Sequence, residues 1–369
     1  MEKVENRKIL MLVNTYFQII VAIKLKLTLY KNDDVDIIIS DHSTDAYKIF
    51  ENVRNMNLFN KVIFFRSKNS ERTRIKKIEE NIMLLFFQND ILKKMKLDLD
   101  VYDEFLFYNI NKYSDLIYSA LLKKNKNLKL GRFEEGYISY LHPNIGLSKS
   151  YMKLKKIFKR KQLQENIDVN YFFNPNILIY EPKNSIVKID KINKIDEKFK
   201  TIMNDVFEYN CDNNEYKQRY IFFEESFFCD GKEIDDLDLI LKIADIVGKE
   251  NILVKLHPRN KIDRFSKYGI KTNKSVGIPW EIIQMNNDFS DKVFLTISSG
   301  SVLGSRLYFD DNIKTYLLFN CTNKKSDMVT ENYLNYLDKV KNEFGMDKFI
   351  IPKNKDEFYD ILRKERDGK

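Results

Sequence analysis

The chain has 369 residues, a net charge of +9, 43% hydrophobic and 13% aromatic residues, and three cysteines. The length suits two domains with their own cores, and the apolar content excludes a disordered chain. Cys211, Cys229 and Cys321 have no metal-ligand spacing and are odd in number, which points to a reducing compartment and no structural zinc.

The apolar run after Lys8 is broken by Asn14, Thr15 and Gln18, then by Lys24 and Lys26. No stretch reaches the roughly 18 uninterrupted apolar residues of a membrane span, and the N-terminus does not read as a signal peptide. A soluble or peripheral protein is expected. The basic surplus leaves nucleic acid, an anionic membrane or an acidic substrate as partners, and no nucleic-acid motif is present.

Residues 7–14 read as a first buried strand, followed by the turn Thr15-Tyr16-Phe17-Gln18 and a helix to about residue 30. Strands are expected at 35–40, 61–65, 102–108 and 128–133, with helices at 44–55, 71–97 and 114–123 between them. Continuous apolar strands alternating with helices predict a parallel, doubly wound sheet. The pattern weakens from 142 to 216. Within it, residues 148–164 carry seven lysines and arginines and no acid. They form a basic amphipathic helix, either at a membrane surface or packed on its domain. Residues 175–215 read as a crossover. A second unit has strands at 219–223, 252–255, 293–297 and 315–319. Its helices span 235–248 and start near 278, and the C-terminus is helical. The predicted fold is α/β of the GT-B type, with two Rossmann-like domains (1–215 and 216–369) facing a central cleft.

Ligands of open α/β sheets bind off the carboxyl ends of the strands. Four stretches sit there. Glu134-Glu135-Gly136 follows a strand, and the alternation of an extended segment lets one carboxylate face the cleft as a general base. His257-Pro258-Arg259 ends another strand, with Arg259 suited to an anion and a strand-end capping histidine as the competing reading. Ser298-Ser299-Gly300-Ser301 lies between a strand and a helix and offers hydroxyls and amide groups to an anion, although ordinary serine capping looks similar. Glu281, at a helix start, suits the two hydroxyls of a ribose or simply the helix dipole. Asp230 and Asp235 compete for the role of base, although turn and cap roles account for both more simply. His142-Pro143 reads as a loop, and His42 has no assigned role.

In these motifs the sequence resembles the bacterial sialyltransferases of glycosyltransferase family 52, which look related to the capsular polysialyltransferases. The acidic pair with its glycine, the His-Pro pair and the serine turn stand in the family's order, and Asn14-Thr15-Tyr16-Phe17-Gln18 resembles its N-terminal turn. The resemblance implies an inverting transfer of sialic acid from CMP-sialic acid to a sugar hydroxyl, with no metal and no cofactor. It implies Glu135 as the base and His257 as the group contacting or protonating the leaving phosphate. Ser298, Ser299, Gly300 and Ser301 hold that phosphate, with Pro258 and Arg259 beside it. Glu281 holds the ribose, and Thr15, Gln18 and Gly136 line the donor sugar. The second acid is more often aspartate in the family, so Asp230 stays open as the base.

The expected partners are CMP-sialic acid, a lipooligosaccharide or capsular glycan acceptor, an anionic membrane at the cytoplasmic face, and a second copy of the chain. Two other readings stand beside this one. One is a GT-B enzyme using a different nucleotide sugar. The other is a non-catalytic basic protein that binds membrane or polysaccharide.

Overall fold

A computed structural model describes residues 6–66, 86–143, 146–147, 149–210, 215–345 and 347–368. It contains two parallel sheets. The strands are β1 Lys8–Val13, β2 Asp34–Ser40, β3 Lys61–Phe65, β4 Glu104–Phe107, β5 Lys129–Phe133, β6 Val169–Phe172 and β7 Ser185–Lys188 in the first sheet. The second holds β8 Tyr220–Phe223, β9 Ile252–Lys255, β10 Lys271–Thr272, β11 Val293–Thr296, β12 Lys314–Leu317 and β13 Phe349–Ile350.

The first sheet runs β3-β2-β1-β4-β5-β6-β7 and the second β10-β9-β8-β11-β12-β13. Each sheet thus winds outward from its own first strand, and the order reverses between β1 and β4 and between β8 and β11. These are the switch points where open α/β sheets leave a crevice. Register is set by fully buried strands. Met11 lies opposite Ile37 on one side and Leu106 on the other, and Phe223 lies between Lys255 and Thr296. The central strands β1, β4, β8, β9 and β11 are apolar on both faces, as a sheet covered on both sides requires.

Two compact units result. Unit 1 contains residues 1–175, 180–190 and 201–207, and unit 2 contains 176–179, 191–200 and 208–369. The stretch expected as a plain crossover instead holds β7 and the helix Glu197–Phe207. The chain alternates between units there rather than breaking once near 215. The short strands β6, β7 and β13 went unforeseen because their residues (Val-Asn-Tyr-Phe, Ser-Ile-Val-Lys and Phe-Ile) carry too little apolar periodicity. Of the helix expected at 71–97, residues 71–85 lie outside the described residues, and the described part is Gln88–Lys94.

The basic stretch is a helix only over Lys149–Ile157. Its inner face is buried rather than presented to a membrane. Tyr151 is buried, and the Lys155 ammonium sits 2.6 and 2.8 Å from the two oxygens of Asp115, both side chains nearly inaccessible. A buried pair of this kind is costly to break from one side. No helix among the described residues is long and apolar enough to cross a membrane.

Candidate active site

In unit 1 the site grows from the turn after β1. Thr15 caps the helix Tyr16–Leu27, its hydroxyl accepting from the Gln18 N–H at 3.3 Å. This leaves the Gln18 side chain, which is fully buried, directed back over the sheet edge. Its oxygen accepts from Asn14 N–H at 2.8 Å, and its amide nitrogen donates to Asn109 Oδ1 at 2.7 Å and to Glu135 Oε2. Asn14 also donates to Asn109 Oδ1 at 2.9 Å and accepts from the Ser40 hydroxyl at 2.8 Å. A polar network therefore spans the β1–β4 switch point and ends on the Glu135 carboxylate.

The acidic pair divides its labour. Glu134 is buried and structural: its Oε2 accepts from Phe173 N–H at 2.8 Å and from the Tyr140 hydroxyl. It thus satisfies backbone that β6 leaves unpaired. Glu135 is half-buried, and its own N–H donates to the Ser139 hydroxyl at 2.6 Å. Gly136 then turns the chain with φ +62°, a left-handed conformation that suits glycine. Burial pushes the Glu135 carboxyl up from its ordinary range, against hydrogen bonds from Thr15 and Gln18 and the charges of His42 and Arg132. Raising a carboxylate toward neutral pH makes it a better general base. Thr15, Gln18, Glu135 and Gly136 are thus brought together at one edge.

In unit 2 the serine turn and β8 meet across the other switch point. Ser298 donates through its N–H to Glu225 Oε1 at 2.5 Å and through its hydroxyl to Glu225 Oε2 at 2.8 Å. Thr296 Oγ1 donates to the same Oε1 at 3.2 Å and accepts from Ser299 N–H at 3.2 Å. Ser301 N–H donates to Ser299 Oγ at 3.3 Å. Ser298 was expected to present its donors to a phosphate, but both are taken by a carboxylate of the same chain. Ser299, Gly300 and Ser301 form the outer part of the turn, opening a short 3-10 segment Gly300–Leu303. Burial pushes the Glu225 carboxyl up, opposed by the Ser298, Thr296 and Ser299 donors.

His257 stands just beyond β9. Its N–H donates to Glu224 Oε2 at 3.0 Å, and Nδ1 accepts from Arg259 N–H at 3.2 Å. The acceptor role of Nδ1 places the proton of a neutral ring on Nε2. Burial lowers the imidazole to about 4, helped by Arg259 and Lys255 and opposed by Asp230, so the ring is neutral at pH 7 without a ligand. The Arg259 guanidinium forks onto Asp230 at 3.0 and 3.2 Å, and Asp230 also accepts from the Ser226 hydroxyl at 2.7 Å. Ser226 and Arg259 hold Asp230 below the usual carboxylate range. That makes it a poor base and gives Arg259 a partner within the chain. Asp235 stands at the N-cap of the helix Asp236–Val247 but its side chain makes no capping bond; it accepts from Asn323 N–H at 2.7 Å and Lys355 Nζ at 2.6 Å.

Glu281 lies one residue into the helix Trp280–Asn286, capped by Pro279. Burial raises its carboxyl, opposed by its own backbone N–H and by the charge of Lys255. Lys255 is itself buried, and its ammonium is lowered to about 8 by that burial. The sequence reading missed Lys255 and the second acidic pair, Glu224-Glu225. Glu224 is buried and anchors His257 while accepting from Arg264 at 2.8 Å, which also reaches Asp236 at 2.5 Å. The pair follows a buried strand just as Glu134-Glu135 does, and that position was the available signal. Among the described residues, no group of three or more His, Cys, Asp or Glu forms a metal-binding set.

A family model described as "Alpha-2,8-polysialyltransferase (POLYST)" matches residues 9–318. No curated protein matches the sequence. Among solved structures, an alpha/beta-galactoside alpha-2,3-sialyltransferase from the luminous marine bacterium Photobacterium phosphoreum is similar. Its TM-score is 0.51 at 11% identity, over 94% of this chain and 99% of that one. A UDP-GlcNAc 2-epimerase from Neisseria meningitidis gives a TM-score of 0.46 at 12% identity, over 96% and 94%. At these identities the first likeness speaks for the fold, two Rossmann-like units of GT-B type. The span of the family match speaks for glycosyl transfer from a nucleotide sugar to a glycan. With the motifs at the edges of both sheets inside the matched residues, the chain belongs to the alpha-2,8-polysialyltransferase family.

Proposed function

We propose that the protein is an inverting, metal-independent sialyltransferase that moves sialic acid from CMP-sialic acid to a sugar hydroxyl of a cell-surface glycan. The observation that carries this reading is Glu135. It is a half-buried carboxylate with a raised pKa, held by Gln18 at the switch point of unit 1 within a family of sialyl-transferring enzymes.

In the proposed reaction Glu135 takes the proton of the acceptor hydroxyl. The acceptor oxygen attacks the anomeric carbon of sialic acid, and the bond from that carbon to the phosphate oxygen breaks. The electron pair leaves with CMP. His257, with its proton on Nε2, donates to or hydrogen-bonds the departing phosphate, and Lys255 adds positive charge nearby. Ser299 and Ser301 offer hydroxyls to that phosphate, and Glu281 offers a carboxylate to the ribose. These cationic and dipolar groups can stabilise the leaving phosphate by fixed electrostatics. The enzyme is placed at the cytoplasmic face of the membrane, in peripheral contact with it, where a lipooligosaccharide or capsular acceptor is built. A homodimer remains part of the proposal.

Calorimetric titration with CMP in EDTA, on wild type and Ser299→Ala, tests the donor. The expected outcome is binding that weakens by about fivefold in the variant, the worth of one hydrogen bond of about 1 kcal/mol. Binding of UDP in preference to CMP would discard the donor and keep the fold.

A further inference from the structure

On unit 1, away from the Glu135 edge, a pocket of about 240 Å³ is lined by Lys123, Lys126, Lys159, Arg160 and Lys161 together with Gln88. All five cations are exposed, and among the described residues no carboxylate lines the pocket and none of the five is ion-paired. Arg160 depresses the ammonium of Lys123, an effect second only to burial. The Gln88 amide oxygen is buried without a hydrogen-bond partner among the described residues. Such a pocket is complementary to a phosphate ester that also carries a hydroxyl.

The same place exposes apolar side chains. Ile157 is 63% exposed and Phe158 45%, at the end of the helix whose inner face Tyr151 and Lys155 tie to Asp115. Phe158 meets Phe86 edge to face, with ring centres 4.9 Å apart, and Phe86 and its neighbour Phe87 are each about half exposed. Lys159, in the left-handed region at φ +48°, turns the chain directly from the aromatic edge into the basic pocket. A free phosphate would use the cations alone. Aromatic and branched side chains held out beside a basic cluster fit an interface with both an apolar and an anionic layer.

We infer that this face of unit 1 docks on an anionic phospholipid bilayer, a headgroup phosphate entering the pocket while Phe86, Phe87, Ile157 and Phe158 enter the interface. The inference deepens the peripheral placement proposed above. It does not depend on the donor, so the vesicle assay that tests it contains no nucleotide.

The full chain is sedimented with vesicles of phosphatidylcholine alone and of equimolar phosphatidylcholine and phosphatidylglycerol. Wild type is expected to bind only the anionic vesicles, less at high salt. The exposed double variant Lys159→Glu/Arg160→Glu is expected to bind at least about 25-fold more weakly, about fivefold per cation. Phe158→Ser is expected to weaken binding to the same vesicles. Both variants should keep the wild-type melting temperature and CMP affinity, which separates this surface from the donor reading. Unchanged vesicle binding in the charge variant, or no binding by wild type, would overturn the inference. So would inorganic phosphate displacing the vesicles at matched phosphate concentration, which would mark a site for a free anion.

Discussion

Glu134-Glu135 and Glu224-Glu225 occupy comparable places, each pair leaving a buried strand at the carboxyl edge of its sheet, and they are used differently. In both, the first glutamate is buried and accepts a backbone N–H from the neighbouring strand's end, that of Phe173 or of His257. The second glutamates diverge. Glu135 is held by a side-chain amide, Gln18, which also bonds Asn14 in the turn after β1 and Asn109 after β4. Glu225 is saturated by Ser298 and Thr296 and holds the serine turn in shape. A carboxylate held by two neutral side chains, Gln18 and Thr15, keeps capacity to accept a proton from a substrate. One that already accepts three donors serves to position its partners. The difference lies in what the facing element supplies, not in the pair itself.

The comparison breaks first at its buried half. Arg264→Ala would leave Glu224 and Asp236 without their shared cation. Removing one partner of a buried ion pair costs about 3–5 kcal/mol. Chemical denaturation should show a loss of that order, and a change within error would mean the pair is not what anchors His257.

The next test uses pH. His257 is lowered to about 4 in the empty site, against an ordinary value near 6.5. In the empty protein its contribution to stability is therefore fully present above about pH 6.5 and is lost as pH falls through about 4. A phosphate beside the ring favours the imidazolium and raises that value, so CMP binding takes up a proton. Affinity should then gain up to about tenfold per pH unit below 6.5, relative to His257→Asn, in which the phosphate's own titration is the only remaining contribution. Identical pH profiles for the two proteins would remove His257 from the phosphate.

The smallest expected effect sharpens the contrast. Glu225→Gln keeps the shape of the carboxyl group and its acceptor for Ser298 N–H, while removing a negative charge near the proposed phosphate. CMP should bind equally well or up to about fivefold tighter, the size of one screened charge contact near the surface. Much weaker binding would show that the charge, and not the position, of Glu225 matters.

Most of the fold was legible because its central strands are continuous apolar runs. Ile9–Val13, Ile37–Ile39 and Ile252–Val254 leave no other element to form. The edge strands β7 and β10 were not legible, since two to four partly exposed residues carry no period. At the site, the positions at strand ends were readable from the order of motifs, and the opposed roles of adjacent glutamates from strand alternation. The engagement of Ser298 by Glu225 was not, because β8 and β11 are 70 residues apart in sequence and adjoin only through the winding order of the sheet. The basic helix was readable as basic and amphipathic. Its inward-facing Lys155 was not, because a lysine reads as exposed until its buried partner Asp115 is known.

The most direct test of the account is transfer of labelled sialic acid from CMP-sialic acid to a sialylated oligosaccharide, measured in EDTA for wild type and Glu135→Gln. Wild type is expected to turn over without added metal. The variant is expected to lose about 10²–10⁴-fold in turnover, the share of a general base, with CMP affinity unchanged. Wild-type-like turnover in Glu135→Gln, or activity that appears only when a divalent metal is restored, would contradict it.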